Sequence, residues 1–151
     1  MKNILMLNIQ MYNPASKPSV IEKEEIVNFL FNHLDEFGDP SDDILKAIDY
    51  GLKETPSFGG FVLVGRINNE IVSAVVINQT GMKGYIPENI LVYIACHKNH
   101  RGKGIGKQIM LEAIKLAHGD IALHVEPDNP AAHLYKKLGF TSKYLEMRLV
   151  K

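Results

Sequence analysis

The chain is predicted to fold as an α/β protein, one mixed β-sheet flanked by helices in the order β-α-α-β-β-β-α-β-α-β. Three observations carry that reading. Residues 61–67 and 70–79 are apolar runs hinged on Asn68-Asn69, the signature of a hairpin. Residues 89–97 hold an unbroken apolar run, as suits a central strand covered on both faces. That run leads through a glycine-rich turn into a helical period over residues 105–118. With 151 residues, 46% of them hydrophobic and 23% charged, the chain is long enough for one sizeable core. No linker, repeat or low-complexity segment divides it, so residues 1–151 are expected to form a single domain.

Residues 4–12 are short, β-compatible and closed by Asn13-Pro14, which makes them a first strand. Pro18-Ser19 opens a helix near Val20, where Ile21, Ile26, Phe29, Leu30, His33 and Leu34 recur at roughly helical spacing. Gly38-Asp39-Pro40 ends it. Ser41 suits the N-cap of a second helix, with Asp42 and Asp43 in its first turn. Ile44, Leu45, Ile48 and Leu52 form its apolar stripe, and Pro56 lies beyond its end. After the hairpin, residues 80–89 form a Gly/Pro-containing loop that also carries Met82, Tyr85 and Ile86. Those side chains either line a site or tuck onto the core. The helix from Ile105 turns Ile109, Met110, Ala113, Ile114 and Ala117 inward and Gln108, Glu112 and Lys115 outward, and Gly119 stops it. Residues 121–126 follow as a strand. Residues 129–138 form a short helix capped by Gly139, and residues 144–150 form a last strand.

Charge and cysteine usage exclude several classes. Lys and Arg total 17, as do Asp and Glu, so nothing points to nucleic acid or a membrane surface as a partner. The distribution is uneven, with ten acidic and three basic residues from Val20 to Ser57. This is either a pair of solvated helix faces or an acidic wall beside a basic remainder. The single cysteine, Cys96, excludes an internal disulfide and a cysteine-rich zinc site. Its apolar strand makes a buried structural thiol the default. His97-x-x-His100 lacks a third ligand, so no metal is expected. Residues 1–11 are broken by Asn8 and Gln10 and lack a small-residue cleavage site. No apolar run reaches the roughly 18 residues that span a bilayer. A cytoplasmic protein, monomer or homodimer, is the expectation.

The turn His100-Arg101-Gly102-Lys103-Gly104-Ile105-Gly106-Lys107 carries the chemistry. Three alternating glycines let the chain turn with no Cβ in the way. Unpaired backbone N–H groups are left at a helix N-terminus, where the helix dipole favours negative charge. Arg101, Lys103 and Lys107 add positive charge. The turn is thus a phosphate cradle, better suited to a diphosphate than to one carboxylate, with a glycine-rich turn that binds nothing as the alternative. It fails the Walker pattern, since Gln108 follows Gly106-Lys107 and Arg101 stands where the first glycine belongs. It fails the dinucleotide fingerprint, since the third glycine comes two residues after the second rather than three.

The spacing Arg101-x-x-Gly104-x-Gly106, between a strand and a long helix, resembles the acetyl-CoA diphosphate loop of the GNAT superfamily of N-acetyltransferases. The segment from Asn129-Pro130 through Leu134-Tyr135 to Gly139-Phe140 resembles that family's second signature, in the expected order with a strand between. The element order is similar as well. The resemblance covers residues 61–151; residues 1–60 match in element order alone. It implies a GNAT-like fold and acetyl-CoA as cosubstrate. It implies that backbone groups of Ile94, Ala95 and Cys96 pair with the pantetheine arm as an added half-strand. It implies that amides of Arg101, Gly102, Lys103, Gly104, Ile105, Gly106 and Lys107 hold the diphosphate. By the same resemblance Asn129 bonds the pantetheine end and Tyr135 lies beside the thioester sulfur. Many members place the Tyr seven residues after the Asn. Here the interval is six, and counting back from Tyr135 puts Asp128 in the Asn position.

Acetyl transfer to an amine requires a neutral nucleophile. A lysine-like amine with a pKa of about 10.4 is neutral in roughly one molecule in 2,500 at pH 7, an obstacle of about 4.6 kcal/mol. A positioned base offsets much of this, by ~10²–10⁴-fold. The oxyanion needs a donor, for which backbone N–H groups around Ile94 to Cys96 are suited. The departing thiolate needs a proton, and a tyrosine with a pKa of about 10 holds one at pH 7. Tyr135 is therefore the expected general acid, or else a tyrosine that only packs the last helix. His124 is the first candidate base, followed by Glu126, which would share its strand face, and then Glu88. Each also reads as an ordinary edge or loop residue. The expected acceptor is a primary amine of a small molecule or peptide. The acidic stretch favours a cationic one such as a polyamine, an aminoglycoside or a basic peptide. The competing functions are a CoA-binding regulatory module without turnover and an acyltransferase using a longer acyl-CoA.

Overall fold

The computed structural model describes residues 6–151. Its strands are β1 (Asn8–Tyr12), β2 (Gly60–Ile67), β3 (Glu70–Gln79), β4 (Asn89–Cys96) and β5 (Ile121–Leu123). Its helices are α1 (Val20–His33), α2 (Ser41–Leu52), α3 (Ile105–Leu116) and α4 (Ala131–Lys137). The strands lie side by side in chain order. All neighbours are antiparallel except β4 and β5, which run parallel because α3 carries the chain back between them.

Local chemistry accounts for several boundaries. Ser19 starts α1 with a reciprocal cap: its hydroxyl accepts the Glu22 amide at 3.1 Å, and the Glu22 carboxylate accepts the Ser19 amide at 2.9 Å. The β2–β3 hairpin turns on Asn68 and Asn69, both with positive φ (51° and 64°), as a two-residue hairpin loop demands. Asn89, buried between strands, donates its side-chain amide to the carbonyls of His118 (2.7 Å) and Asp120 (3.2 Å). It thereby pins the α3–β5 turn to the start of β4.

The helices cover both faces of the sheet. From α1 and α2, Ile26, Leu30, Ile44 and Ile48 pack with Val62, Val64, Val76 and Tyr93. From α3, Ile109, Met110 and Ala113 pack with Leu63, Val75, Ile77 and Leu91 on the other face. β4 changes phase between these layers. Leu91 pairs with Ile77 and Tyr93 with Val76, so Val92 is an extra residue. Such a bulge puts successive side chains on one face. Val92 and Tyr93 both pack toward α1 and α2, while Leu91 and Ile94 pack toward α3. The β4–β5 ladder ends at the same level, after Leu91 and Leu123. From Val92 onward the two strands part.

Several expectations need correction. Residues 144–150 form no strand, and their large apolar side chains are 79–89% exposed. Strand propensity there is not enough without a partner, and the edge strand β5 is only three residues long. β5 also stops at Leu123 instead of reaching residue 126, because β4 has by then turned away. Pro40 caps α2, its carbonyl accepting the amides of Asp43 and Ile44, and Ser41 is already helical. Helix α3 ends two residues before His118. Ile21 (78% exposed) and Ile114 (36%) face outward. Met82, Tyr85 and Ile86 are exposed, so their loop does not tuck onto the core. Of the expected first strand, residues 8–12 form β1, and residues 4 and 5 lie outside the described residues.

Candidate active site

The three glycines of the cradle serve two purposes. Gly102 (φ 77°) and Gly104 (φ 79°) hold the left-handed conformation that L side chains disfavour. A Cβ on either would meet nothing within 4 Å, so they serve conformation and open approach, not packing. Gly104 is the N-cap of α3, and the amides that follow it have no acceptor within the helix. Gly106 is different. A Cβ there would lie 3.3 Å from Leu134 and 3.4 Å from the Cys96 sulfur, so its bareness lets α4 and β4 close on the first turn of α3.

The charges are deployed less uniformly than the sequence suggests. Lys103 and Lys107 are exposed, and among the described residues neither pairs with a carboxylate. Arg101 turns away from the cradle. Its Nε donates to the Cys96 carbonyl (3.3 Å), Nη1 to Asp35 (3.0 Å) and Nη2 to the His33 carbonyl (2.9 Å). The Arg101 guanidinium in turn draws the Asp35 carboxyl below the usual carboxylate range.

Helix α4 is closed by a left-handed Gly139 (φ 99°). The Phe140 amide donates to the Tyr135 carbonyl (3.0 Å) and the Gly139 amide to the Lys136 carbonyl (3.1 Å). This is a Schellman cap, and its apolar contact is Tyr135 against Phe140, with ring centroids 5.8 Å apart. The Leu-Tyr and Gly-Phe spacing is therefore the cap that fixes Tyr135. Tyr135 is buried, and burial first, then the neighbouring Cys96, push its hydroxyl up to about 12. Cys96 is half-buried rather than fully enclosed, and desolvation raises its thiol against the pull of Arg101.

The structure brings Arg101, Gly106, Cys96 and Tyr135 together at the end of β4. The other expected residues sit as follows. Ile94 and Ala95 lie on β4 just before Cys96. Asn129 starts α4: its side-chain oxygen accepts the Ala131 amide (2.9 Å) and its carbonyl accepts the Ala132 amide (3.0 Å). His124 is the first residue beyond β5 and is exposed, level with Val92 if the ladder's register is continued. Glu126 is exposed in the next turn, so the shared strand face expected for the two does not exist. Glu88 is engaged elsewhere, its carboxylate accepting the Asp120 amide (2.7 Å) and filling the space beside Gly119.

Sequence reasoning missed Asp35, the partner of Arg101, and Asp39, whose carboxylate accepts the Tyr93 hydroxyl. Burial and that carboxylate raise the Tyr93 hydroxyl pKa. Both aspartates lie inside a general acidic run, and nothing local distinguishes them. Among the described residues, no cluster of three metal-ligating side chains occurs, and no helix is long and apolar enough to cross a membrane.

A family profile described as an acetyltransferase (GNAT) domain matches residues 59–142, more than half of the chain. Curated protein sequences give no match. Among solved structures, the aminoglycoside N-acetyltransferase AAC(6')-Iy in complex with CoA superposes with a TM-score of 0.69 at 15% identity, over 100% of this chain and 98% of that one. A ribosomal-protein-alanine N-acetyltransferase from Brucella melitensis biovar Abortus 2308 gives 0.63 at 16%, over 97% and 99%. A transcriptional regulator from Bacillus halodurans C-125 gives 0.66 at 19%, over 95% and 100%. At such identities these likenesses speak for the fold, on which different functions are built. The profile match runs from the start of β2 through the cradle and the whole of α4, and on it this chain belongs to the GNAT family of acetyltransferases, enzymes that transfer an acetyl group from acetyl-CoA.

Proposed function

We propose that this chain, working as one domain, acetylates a primary amine of a small molecule or peptide by direct attack on acetyl-CoA. The observation that carries this is a coincidence of place. β4 leaves β5 after Leu91, and α3 opens its N-terminus at Gly104 next to the far end of the same strand. An extended, amide-bearing arm ending in a diphosphate fits that layout. The His97 amide bonds back to Val72 on β3, so by alternation Ala95 also faces β3, while Ile94 and Cys96 face the open edge. Arg101 takes the Cys96 carbonyl. Ile94 and the Cys96 amide are thus the best partners for the arm, and the amides from Gly102 to Lys107 for the diphosphate. The side-chain amide nitrogen of Asn129 serves the arm's far end.

Acetyl-CoA supplies a thioester already activated toward amines. The chain's part is to hold that group and to manage two protons. Tyr135 holds one at its hydroxyl, and its raised pKa keeps it there. The same burial raises the proton affinity of any thiolate formed beside it, as it does for Cys96. His124 takes the other proton from the amine, directly or through water, and its exposure supports exchange with solvent; Glu126 is the alternate. Glu88 is the weakest candidate, being bonded to the α3–β5 turn.

Within the acidic stretch, the start of α2 is the region that best supports a cationic acceptor. Glu25, Asp35, Asp43, Asp49 and Glu54 are paired with Arg66, Arg101, Lys46, Lys23 and Lys17. Asp39 and Asp42 at the start of α2, outside those pairs, lie on the Tyr93 side of β4, and the Asp39 charge acts on Tyr93. The test is thiol release from acetyl-CoA across mono-, di- and polyamines and basic and neutral peptides, with the acetylated product identified. Release matched by product, strongest for cationic amines, is the expected result. Binding of acetyl-CoA with no release for any amine would favour the regulatory module. Faster release from longer acyl-CoAs would favour the other alternative.

A further inference from the structure

The end of α1 is fastened to the turn that enters the cradle, and Asp35 is the joint. Asp35 holds a left-handed backbone (φ 56°), a conformation that non-glycine residues keep only when their surroundings enforce it. Its carboxylate bridges Arg101 (3.0 Å) and Lys98 (3.4 Å). Arg101 extends the joint to the carbonyls of His33 and Cys96. Beside it, the Lys98 amide donates to His33 Nδ1 (3.2 Å) and the Asn99 amide to His97 Nδ1 (3.1 Å). The two rings stack at 4.2 Å, and His100 meets His97 edge-on. The last residue of α1, the end of β4 and the turn Lys98–His100 are thereby one block, and the stretch with the left-handed Gly102 and Gly104 begins directly after it. A metal reading fails, because a ring whose Nδ1 accepts an N–H carries its proton on Nε2.

We propose that Asp35 and Arg101 are positioning residues for the cosubstrate's diphosphate: they lock the turn after Cys96 onto α1 and so fix where the first amides of α3 point. This rests on the reading of that turn as the acetyl-CoA site. Arg101 acts through the backbone it anchors, each of its three guanidinium nitrogens donating one hydrogen bond within the block.

The histidines give the block an acid limit. Facing them are Glu25 from α1, Asp35, Lys98 and His100, Arg101, and Glu70 at the start of β3, which lines the same cleft of about 370 Å³. Protonating His33 would turn an acceptor into a donor facing the Lys98 N–H, beside two cations. Burial, then the charges of His97, Lys98 and Arg101, already hold the His33 pKa below its ordinary value. The neutral block is therefore intact above the ordinary histidine value, and its loss as pH falls extends below that value, toward the lowered pKa of His33.

The test measures Kd and KM for acetyl-CoA, and kcat, for the wild type, Asp35→Asn, Asp35→Gly and Arg101→Lys, with folding checked by circular dichroism. Asn and Gly both tolerate the left-handed backbone, so a loss in both reports the carboxylate and not relieved strain. Each variant is expected to raise Kd and KM about tenfold, the scale of one charge-assisted hydrogen bond, with kcat at saturation within about twofold. His33→Gln is expected to flatten the wild type's loss of affinity as pH falls below the ordinary histidine range, since Gln accepts an N–H but does not titrate there. Folded Asp35 variants that bind like the wild type, or that lose kcat instead, overturn the inference. If the Asp35 variants do not fold, Arg101→Lys decides the matter by the same criteria. A wild type that shows no titration with acetyl-CoA overturns the cosubstrate reading itself.

Discussion

Replacing Gly104 by alanine separates conformation from packing in the cradle. Gly104 sits at φ 79° and ψ 7°, and an added Cβ would meet nothing within 4 Å. The cost of Gly104→Ala is therefore the left-handed penalty alone, about 1–2 kcal/mol. A free protein that keeps the turn's shape loses about 2–4 °C in Tm for each kcal/mol, as befits a chain of this length. A turn that relaxes keeps its Tm but must be restored on binding, which weakens Kd for CoA by about 5–30-fold. Gly106→Ala is the control. It gains about 0.8–1.0 kcal/mol of helix propensity. Against that stand tight contacts at 3.3 Å to Leu134 and 3.4 Å to Cys96, the first being the movable end of a side chain. Net stability should stay within about 1 kcal/mol, the two effects being of similar size and opposite sign. Thermal melts with calorimetric titration of CoA read both quantities. Gly104→Ala with both wild-type Tm and wild-type affinity would show that the left-handed turn has no such role, as would greater damage from Gly106→Ala.

Tyr135→Phe should lower kcat by roughly 10²-fold or more while leaving KM for acetyl-CoA near its wild-type value, measured by thiol release. Because the Tyr135 pKa is raised to about 12, the stability its neutral form contributes is present below the unfolded value of about 10 and is lost as pH rises toward 12. The wild-type kcat should accordingly show no decline below pH 10 that Tyr135→Phe abolishes; such a decline would show that Tyr135 loses its proton well below the raised value. His124→Ala should slow amine acetylation most at neutral pH, with the deficit shrinking toward pH 10 as the amine loses its own proton; a pH-independent deficit would count against a base at that position. Glu88→Gln should cost about 1–3 kcal/mol of stability by weakening the bond to the Asp120 amide, with kcat unchanged; a fall in kcat with unchanged stability would restore Glu88 as the base.

Features set by local chemistry are legible in the sequence. The Asn68-Asn69 hairpin, the glycine cradle before α3 and the Gly139 stop after α4 each need a particular backbone that few residues adopt, and the sequence displays those residues. What depends on pairing between distant segments is hidden. Val92 is one apolar residue among many, and nothing in its neighbours marks it as the extra residue at which β4 changes face and leaves β5. For that reason the apolar pattern overstates β5 by three residues and suggests a strand face for His124 and Glu126 that they do not have. Residues 144–150 have strand composition but no partner. Arg101 reads as cradle charge because its partners, Asp35 and the His33 carbonyl, lie 66 and 68 residues away. Tyr135 is legible through its motif, and the structure supplies the physical reason for the spacing in the cap formed by Gly139 and Phe140.

The proposed function stands or falls on whether the parting of β4 from β5 and the N-terminus of α3 together receive the arm and diphosphate of acetyl-CoA. Calorimetric titration of the purified chain with acetyl-CoA, CoA and ATP, repeated with Gly104→Glu, answers that question. The expected result is binding of acetyl-CoA and CoA but not of ATP, abolished when a carboxylate stands in the cradle. Absence of CoA binding, ATP binding of equal strength, or undiminished binding by Gly104→Glu would contradict it.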